Sequence, residues 1–282
     1  MTQEQKIKLQ QLLLAKIEKL GISQNDAAKR IGVSAATISN IINNKFDSIT
    51  DAWKIISQWV GNGKWQVVET ANVKRIGSMC KHAQTQGITK AVSFRQGSGK
   101  SEGVKYYADN NKNVFYLEVE PHYTKKTFLQ KLSRAMGLSI HNSISEMVDN
   151  IIDKLNSLTS PLVILDEFDQ LSENVLPFFK TFYNKTTSGF VLVGGEHFNK
   201  RITRGVSNAK QSYCEIYSRL GAEFLPLHPT NAETIQAICQ ANGIYDPATI
   251  EAIAKDAKGD LRRVKSEVEK IHLQTKQVPQ GN

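Results

Sequence analysis

The chain has few cysteines and no long apolar run, and each shortage excludes a class of protein. Its 282 residues include three cysteines, Cys80, Cys214 and Cys239, which are widely separated and match no metal-ligand spacing. We interpret them as ordinary reduced thiols without a function. No apolar run approaches the roughly 20 residues that cross a bilayer, and the N-terminus lacks a signal-peptide core. We therefore expect a soluble cytoplasmic protein with no membrane partner.

Acidic residues are also in short supply. Asp and Glu total 27 against 36 Lys and Arg, which gives a net charge of +9. Such a surplus is uncommon for an enzyme that handles small anionic metabolites alone, and it suits a polyanionic partner. Nucleic acid is the first candidate. The hydrophobic content of 40% supplies cores for two or three domains.

Residues 1–62 are predicted to form an all-α domain. Within it, the stretch from Gln24 to Ile41 has the spacing of a helix-turn-helix of the phage-repressor type, with Gly32 at the turn and Ser23 and Ser34 as N-caps. Because the second helix carries no arginine, we expect weak or architectural DNA contact, and helices that pack without a DNA role remain an alternative. The candidate DNA-binding residues here are Ser34, Thr37, Ser39, Asn40, Asn43 and Lys45.

A glycine-rich segment, Ser93 to Ser101, has the pattern of a phosphate-binding loop. Its glycines let the backbone approach phosphate oxygens, Lys100 neutralises them, and the Ser101 hydroxyl can bind Mg²⁺. Phe94 stands where the pattern G-x-x-x-x-G-K-[ST] has its first glycine, so we expect turnover to suffer more than nucleotide binding. The predicted ATP-binding residues are Gln96, Gly97, Ser98, Gly99, Lys100, Ser101, Glu102 and Asp166.

Downstream, the apolar run from Leu162 to Leu165 predicts a buried strand that ends in two carboxylates. Asp166 is the candidate to hold Mg²⁺ together with Ser101, and Glu167 is the candidate base that polarises an attacking water. The two segments together indicate a nucleoside-triphosphate site far more specifically than either does alone.

Alternating strands and helices predict that residues 63–228 form an α/β core with a parallel sheet covered on both faces. A helical lid and tail follow at 229–282, with helix starts at Thr230-x-x-Glu233 and Asp246-Pro247 and a loose tail from Gln274. The turn-rich stretch 61–64 reads as the linker before the core. The predicted strands are Ala91–Arg95, Val114–Val119, Leu162–Asp166, Phe190–Gly194 and Glu223–Leu227.

Two arginine-bearing segments, Tyr217–Leu220 and Gly259–Arg262, complete a resemblance to the AAA+ ATPases. In that family an arginine before the fifth strand reaches a neighbouring subunit's nucleotide, and a lid arginine touches the γ-phosphate in its own subunit. The resemblance implies these roles for Arg219 and Arg262, which join Glu167 as predicted catalytic residues. The family has a polar sensor after the fourth strand, where this chain has Gly194-Gly195-Glu196-His197, and Glu196 or His197 could substitute.

The order of the parts is similar to that of the phage Mu transposition protein B family and its transposon relatives. The segments that carry this resemblance are Val68–Ile76, Gly97–Glu102, Asn111–Val114, Asp166–Leu171 and Ser218–Arg219. It implies an ATPase, stimulated by DNA, that assembles with ATP and Mg²⁺ as a helical homo-oligomer on double-stranded DNA of any sequence. Such a filament presents target DNA to a DDE transposase and activates that transposase. We expect the protein to act in the bacterial cell and to be encoded by a phage or mobile element.

Two other functions fit the same parts. One is a helix-turn-helix transcriptional regulator whose ATPase core switches oligomerisation, and the other is a helicase-loading ATPase. Sequence-specific DNA binding would favour the first, and co-purification with a helicase the second. If the chain is the transposition ATPase, we expect the DNA contacts of its core to lie on loops that face the filament's pore, at Thr124, Lys125, Lys126 and Lys185.

Overall fold

Within the residues that the structure describes, the N-terminal domain is built from four helices. The computed structural model describes residues 3–46, 52–60, 65, 67–242 and 244–277, so the predicted linker at 61–64 lies outside the described residues. The Ser23 and Ser34 hydroxyls accept hydrogen bonds from N–H groups in the first turns of the second and third helices, as predicted. Gly32 adopts a φ of 85°, which makes the tight turn between them. The helices are α1 (Gln3–Leu20), α2 (Gln24–Ile31), α3 (Ala35–Ile42) and α4 (Ala52–Val60).

These helices share one apolar core. Leu9 and Leu13 from α1 meet Ile38 and Ile41 from α3, and Ile56 of α4 closes the cluster. The polar side chains at the start of α3 point away from that core and are exposed or half-buried. The helix-turn-helix arrangement predicted from the sequence is confirmed.

The second unit is a sheet of four parallel strands in the order β1-β4-β3-β2. Alternate residues of the central strands enter two separate cores, because neighbouring side chains of a strand point to opposite faces: Val163 and Leu165 pack on one side, Leu162 and Ile164 on the other. The strands are β1 (Thr89–Ser93), β2 (Val114–Glu118), β3 (Leu162–Asp166) and β4 (Gly189–Gly194). The helices around them are α5 (Ala71–Gln86), α6 (Lys100–Asn110), α7 (Lys125–Ala135), α8 (Ile144–Asn156), α9 (Leu176–Lys185), α10 (Phe198–Ser207) and α11 (Gln211–Arg219).

The predicted fifth strand is wrong as a full strand. Within Glu223–Leu227, one isolated parallel bridge joins Leu225 to Val92, and the Leu225 N–H donates to the Ala91 carbonyl at 2.8 Å. The next residue is Pro226, which has no N–H to continue a ladder. The first strand begins and ends two residues earlier than predicted, so Phe94 and Arg95 belong to the loop that follows it.

In the described part of the lid there are three helices: α12 (Ala232–Ala241), α13 (Pro247–Ala257) and α14 (Leu261–Gln277). The start at Asp246-Pro247 is confirmed, whereas the cap of α12 is Asn231 and not Thr230. The predicted loose tail is wrong for residues 274–277, which continue α14, and residues 278–282 lie outside the described part. Trp65 and Val68 pack into the lid's core, so the segment before α5 is bound to the lid.

The helix-turn-helix domain is seated on the α/β core. Lys16 of α1 forms an ion pair with Asp109 at the end of α6, at 3.2 Å. The Arg30 guanidinium of α2 lies 5.2 Å from the centre of the Phe115 ring in β2, and burial lowers the pKa of Arg30. None of the helices in the described ranges combines the length and apolarity needed to cross a bilayer.

Candidate functional site

A cavity of about 250 Å³ opens at the carboxyl edge of the sheet, where parallel α/β folds bind their ligands. One side of it is polar and is formed by the loop from Gln96 to Glu102 with Glu167 and Arg262. The other side is mainly apolar. That side is lined by Trp65, Val67, Val68, Val73, Ile238 and Leu261. A polar end beside an apolar end matches the two halves of a nucleotide, phosphates and base.

The phosphate-loop backbone needs glycine at two positions. Gly97 has a φ of 72° and Gly99 a φ of 85°, a region that side chains disfavour. At Gly97 a side chain would also collide with Asp260 of the lid, and the Leu261 N–H donates to the Gly97 carbonyl at 2.8 Å. Phe94 does not have a positive φ, which explains why a non-glycine residue fits there.

Lys100, predicted to neutralise phosphates, begins α6 and is 8% exposed. Its ammonium donates hydrogen bonds to the carbonyls of Phe94 at 2.7 Å and Arg95 at 2.8 Å. Burial lowers the pKa of Lys100, and the nearby carboxylates of Glu167 and Asp166 oppose that shift. Phosphate oxygens would accept these hydrogen bonds in place of the two carbonyls.

Asp166 ends β3 and is 1% exposed. Its Oδ1 accepts the Glu167 backbone N–H at 3.0 Å, and its Oδ2 accepts the Tyr116 hydroxyl at 2.8 Å. Ser101, on the first turn of α6, lines the cavity, whereas Asp166 is buried directly before the lining residue Glu167. A carboxylate and a hydroxyl are the hard oxygen donors that Mg²⁺ prefers, so the residues present fit this ion.

Glu167 lines the cavity directly after Asp166. Its φ of 54° is a left-handed conformation that is uncommon for a non-glycine residue. Burial raises the pKa of Glu167, and the charges of Asp166 and Asp169 raise it further. A carboxylate with a raised pKa accepts a proton more readily, which suits a general base.

The two predicted catalytic arginines occupy different places. Arg262 lines the cavity, and its Nη1 is 3.4 Å from Oε1 of Gln96. Arg219 is not among the residues that line it. Instead it stacks on the Tyr183 ring at 4.0 Å and donates to Asn184 Oδ1 at 2.6 Å. The catalytic roles of these side chains stay predictions, and the geometry brings Glu167 and Arg262 together but not Arg219.

The suggested substitute sensors do not reach the cavity. Glu196 and His197 are exposed and do not line it, whereas Gly195 does. The Gly195 N–H donates to Asp169 Oδ1 at 3.1 Å, and Gly195's carbonyl accepts the Ser93 hydroxyl at 2.8 Å. A side chain at Gly194 would collide with Phe198, which explains the glycine there.

Several lining residues were not predicted from the sequence. Glu118 ends β2 and pairs in register with Asp166, so the predicted strand carried a signal for it. Lys105 forms an ion pair with Glu118 at 3.1 Å. Lys265 of the lid lies 5.4 Å from the Trp65 ring centre and 3.7 Å from Glu102, which joins lid and loop at the mouth of the cavity.

The predicted DNA-binding residues form three groups. The first lies on and just after α3, where Ser34 and Thr37 hydrogen-bond to one another at 2.8 Å. Thr124 caps α7, and Lys125 and Lys126 are exposed on its first turn, after the carboxyl end of β2. Lys185 is exposed before the amino end of β4. Parallel strands place these two core groups at opposite edges of the sheet, and their contacts with DNA stay predictions.

Comparison with known proteins gives two family matches: an AAA domain at residues 84–202 and a helix-turn-helix at residues 13–55. The chain is 25% identical to the ATP-dependent target DNA activator B of Escherichia phage Mu, over 82% of this chain and 77% of that one. It is 24% identical to the protein of that name in Escherichia phage D108, over 79% of this chain and 75% of that one. It is also 24% identical to the Mu-like prophage FluMu DNA transposition protein B of Haemophilus influenzae, over 79% of this chain and 81% of that one.

Proposed function

We propose that this chain, an AAA protein of the phage Mu transposition protein B family, is an ATPase that captures target DNA in transposition. One observation carries the proposal. Lys100, Glu167 and Arg262 line one cavity, with the buried Asp166 directly before Glu167, in a chain that also exposes the start of its α3 helix. The site can thus hold and cleave a nucleotide while a second surface meets DNA.

ATP with Mg²⁺ would bind with its phosphates at the loop from Gln96 to Glu102 and its base against Val68 and Ile238. Ser101 and Asp166 would hold the ion, which supplies charge neutralisation when bound. Glu167 would accept a proton from the attacking water, and Arg262 would clamp the oxygens on which charge develops.

Hydrolysis on this proposal requires a second copy of the chain. Arg219 lies outside the cavity of its own subunit, and the stack on Tyr183 together with the hydrogen bond to Asn184 holds its side chain in place. A neighbouring subunit's cavity would receive this arginine, which couples ATP turnover to assembly into a helical homo-oligomer. DNA would stimulate turnover because it brings subunits together.

Capture of target DNA would depend on the charge of its phosphates more than on its base sequence. Lysines such as Lys125, Lys126 and Lys185 can neutralise phosphates of any duplex, and the short polar side chains of α3 can hydrogen-bond to the backbone. The ATP-bound filament would present the DNA to a DDE transposase and activate it, and hydrolysis would release the protein. We propose that this occurs in the bacterial cytoplasm, with the gene carried by a phage or mobile element.

The proposal is tested by sedimenting the chain with random-sequence duplex DNA in ATP, in ADP and without nucleotide, then adding candidate DDE transposases to the pelleted complex. We expect DNA to pellet with the protein only in ATP, and strand transfer into that DNA to rise. Tight binding to one short sequence without assembly would instead favour a transcriptional regulator, which the exposed α3 also permits.

A further inference from the structure

The hydroxyl of Tyr116 contacts the buried carboxylate at the candidate site. Tyr116 lies in β2 two residues before Glu118, which pairs in register with Asp166 on β3. Its Oη is 2.8 Å from Asp166 Oδ2 and 3.3 Å from Glu118 Oε2. A phenol has one proton, so the nearer Asp166 receives the stronger hydrogen bond.

The carboxylate that accepts this hydrogen bond is buried. Asp166 is 1% exposed. If the hydrogen bond from Tyr116 were lost, water could not replace it without a large cost in free energy.

Two side chains that line the cavity, a lysine and a glutamate, contact the tyrosine. The Lys105 ammonium lies 5.2 Å from the Tyr116 ring centre and 3.1 Å from Glu118 Oε2. Both Lys105 and Glu118 line the nucleotide cavity, whereas Tyr116 stands behind them. The ring thus contacts Lys105, while its hydroxyl contacts the Asp166 carboxylate.

We propose that Tyr116 is a positioning residue that fixes the Asp166 carboxylate in the orientation from which it holds the Mg²⁺ that accompanies ATP. The inference rests on the proposed function. With one oxygen bound by Tyr116 and the other by the Glu167 N–H, the carboxylate cannot rotate, yet each oxygen keeps lone pairs for the ion or its water. Removing such an outer partner typically costs about 10- to 100-fold in metal affinity.

The test is Tyr116→Phe in the full chain, which removes the hydroxyl and keeps the ring. Binding of a fluorescent ATP analogue is measured in EDTA and again during a Mg²⁺ titration. We expect unchanged binding in EDTA and a half-saturating Mg²⁺ concentration raised about 10-fold.

The matched control is Tyr107→Phe, which loses a 2.7 Å hydrogen bond to Gln84 away from Asp166. We expect its Mg²⁺ dependence to be that of the unmodified chain. The proposal fails if Tyr116→Phe and Tyr107→Phe have the same Mg²⁺ dependence, or if Tyr116→Phe weakens binding equally with and without Mg²⁺.

A double-mutant cycle guards against a general loss of structure. In an Asp166→Asn background, Tyr116→Phe should no longer change the Mg²⁺ dependence, because the carboxylate that it positions is gone. A further change of the same size there overturns the proposal. If the unmodified chain binds no nucleotide, the proposed function fails; if it binds and only the Tyr116 effect is missing, this inference alone fails.

Discussion

Lys100 is the residue on which nucleotide affinity depends most. Its ammonium is the buried cation at the start of α6, and its current acceptors are two backbone carbonyls that phosphates can replace. We predict that Lys100→Ala weakens ATP binding by about 100-fold or more, since the ammonium can make two charge-assisted hydrogen bonds that contribute about 1.5–3 kcal/mol each. Fluorescent-nucleotide titration measures the effect, with the exposed Lys185→Ala as the control. Affinity within about threefold of the unmodified chain would remove Lys100 from the site.

Glu167 controls the pH dependence of turnover. Its pKa is raised, first by burial and then by Asp166 and Asp169, and only the deprotonated form can act as a base. As pH falls, we expect the rate to drop at a higher pH than an ordinary glutamate, with its pKa near 4.3, would give. The measurement is the pH profile of ATP hydrolysis at saturating ATP.

Glu167→Gln should keep ATP binding while the rate falls about 100-fold or more, because the amide cannot take a proton. Hydrolysis in the variant at more than a tenth of the normal rate would mean that another group is the base.

Single residues were predictable from the sequence where the motif is local. The loop at 97–101 and the pair Asp166-Glu167 were found because contiguous residues encode them. Tyr116 and Glu118 were missed because strand pairing brings them to Asp166 from far along the chain. The prediction of a sensor at Glu196 or His197 was wrong. Gly195 presents its backbone to the site, and the two side chains that follow it are exposed to solvent.

At the scale of secondary-structure elements, the first turn of α7 is the testable DNA surface of the core. Thr124 caps the helix, and Lys125 and Lys126 project from it beyond β2. We predict that replacing both lysines with alanine weakens binding to random DNA and lowers the slope of log affinity against log salt by about two, one unit per lost phosphate contact. An unchanged slope would contradict the contact.

A comparison with Lys185→Ala separates the two edges of the sheet. Lys185 follows Asn184, the partner of Arg219, and lies at the edge opposite to α7's first turn. A lower slope in this variant as well would mean that DNA contacts both edges through neighbouring subunits.

Elements were predicted well where apolar periodicity and caps agree. The helices of the N-terminal domain, β3 and the start of α13 fall where the sequence indicates. The strand predicted at Glu223–Leu227 was wrong because its apolar residues follow a strand-like pattern, whereas Pro226 lacks the N–H that a strand ladder needs. The docking of the first domain, through Lys16 and Arg30, has no local signal at all.

For the whole molecule, assembly should be required for turnover. Arg219 is absent from its own subunit's cavity, so we predict that Arg219→Ala abolishes the rise of specific ATPase activity with subunit concentration. Mixing it with Glu167→Gln should restore activity, because the first variant supplies an intact cavity, and the second still binds ATP, assembles and supplies an intact arginine. A mixture no more active than its separate parts would contradict action between subunits.

ATP hydrolysis by the intact chain, measured with and without random-sequence duplex DNA while sedimentation follows assembly in the same samples, decides whether DNA capture and turnover are coupled. We expect large ATP-dependent assemblies on DNA of any sequence and a hydrolysis rate that rises with them. A hydrolysis rate that does not change when DNA is added, or binding confined to one short sequence in small complexes, would contradict the proposed function.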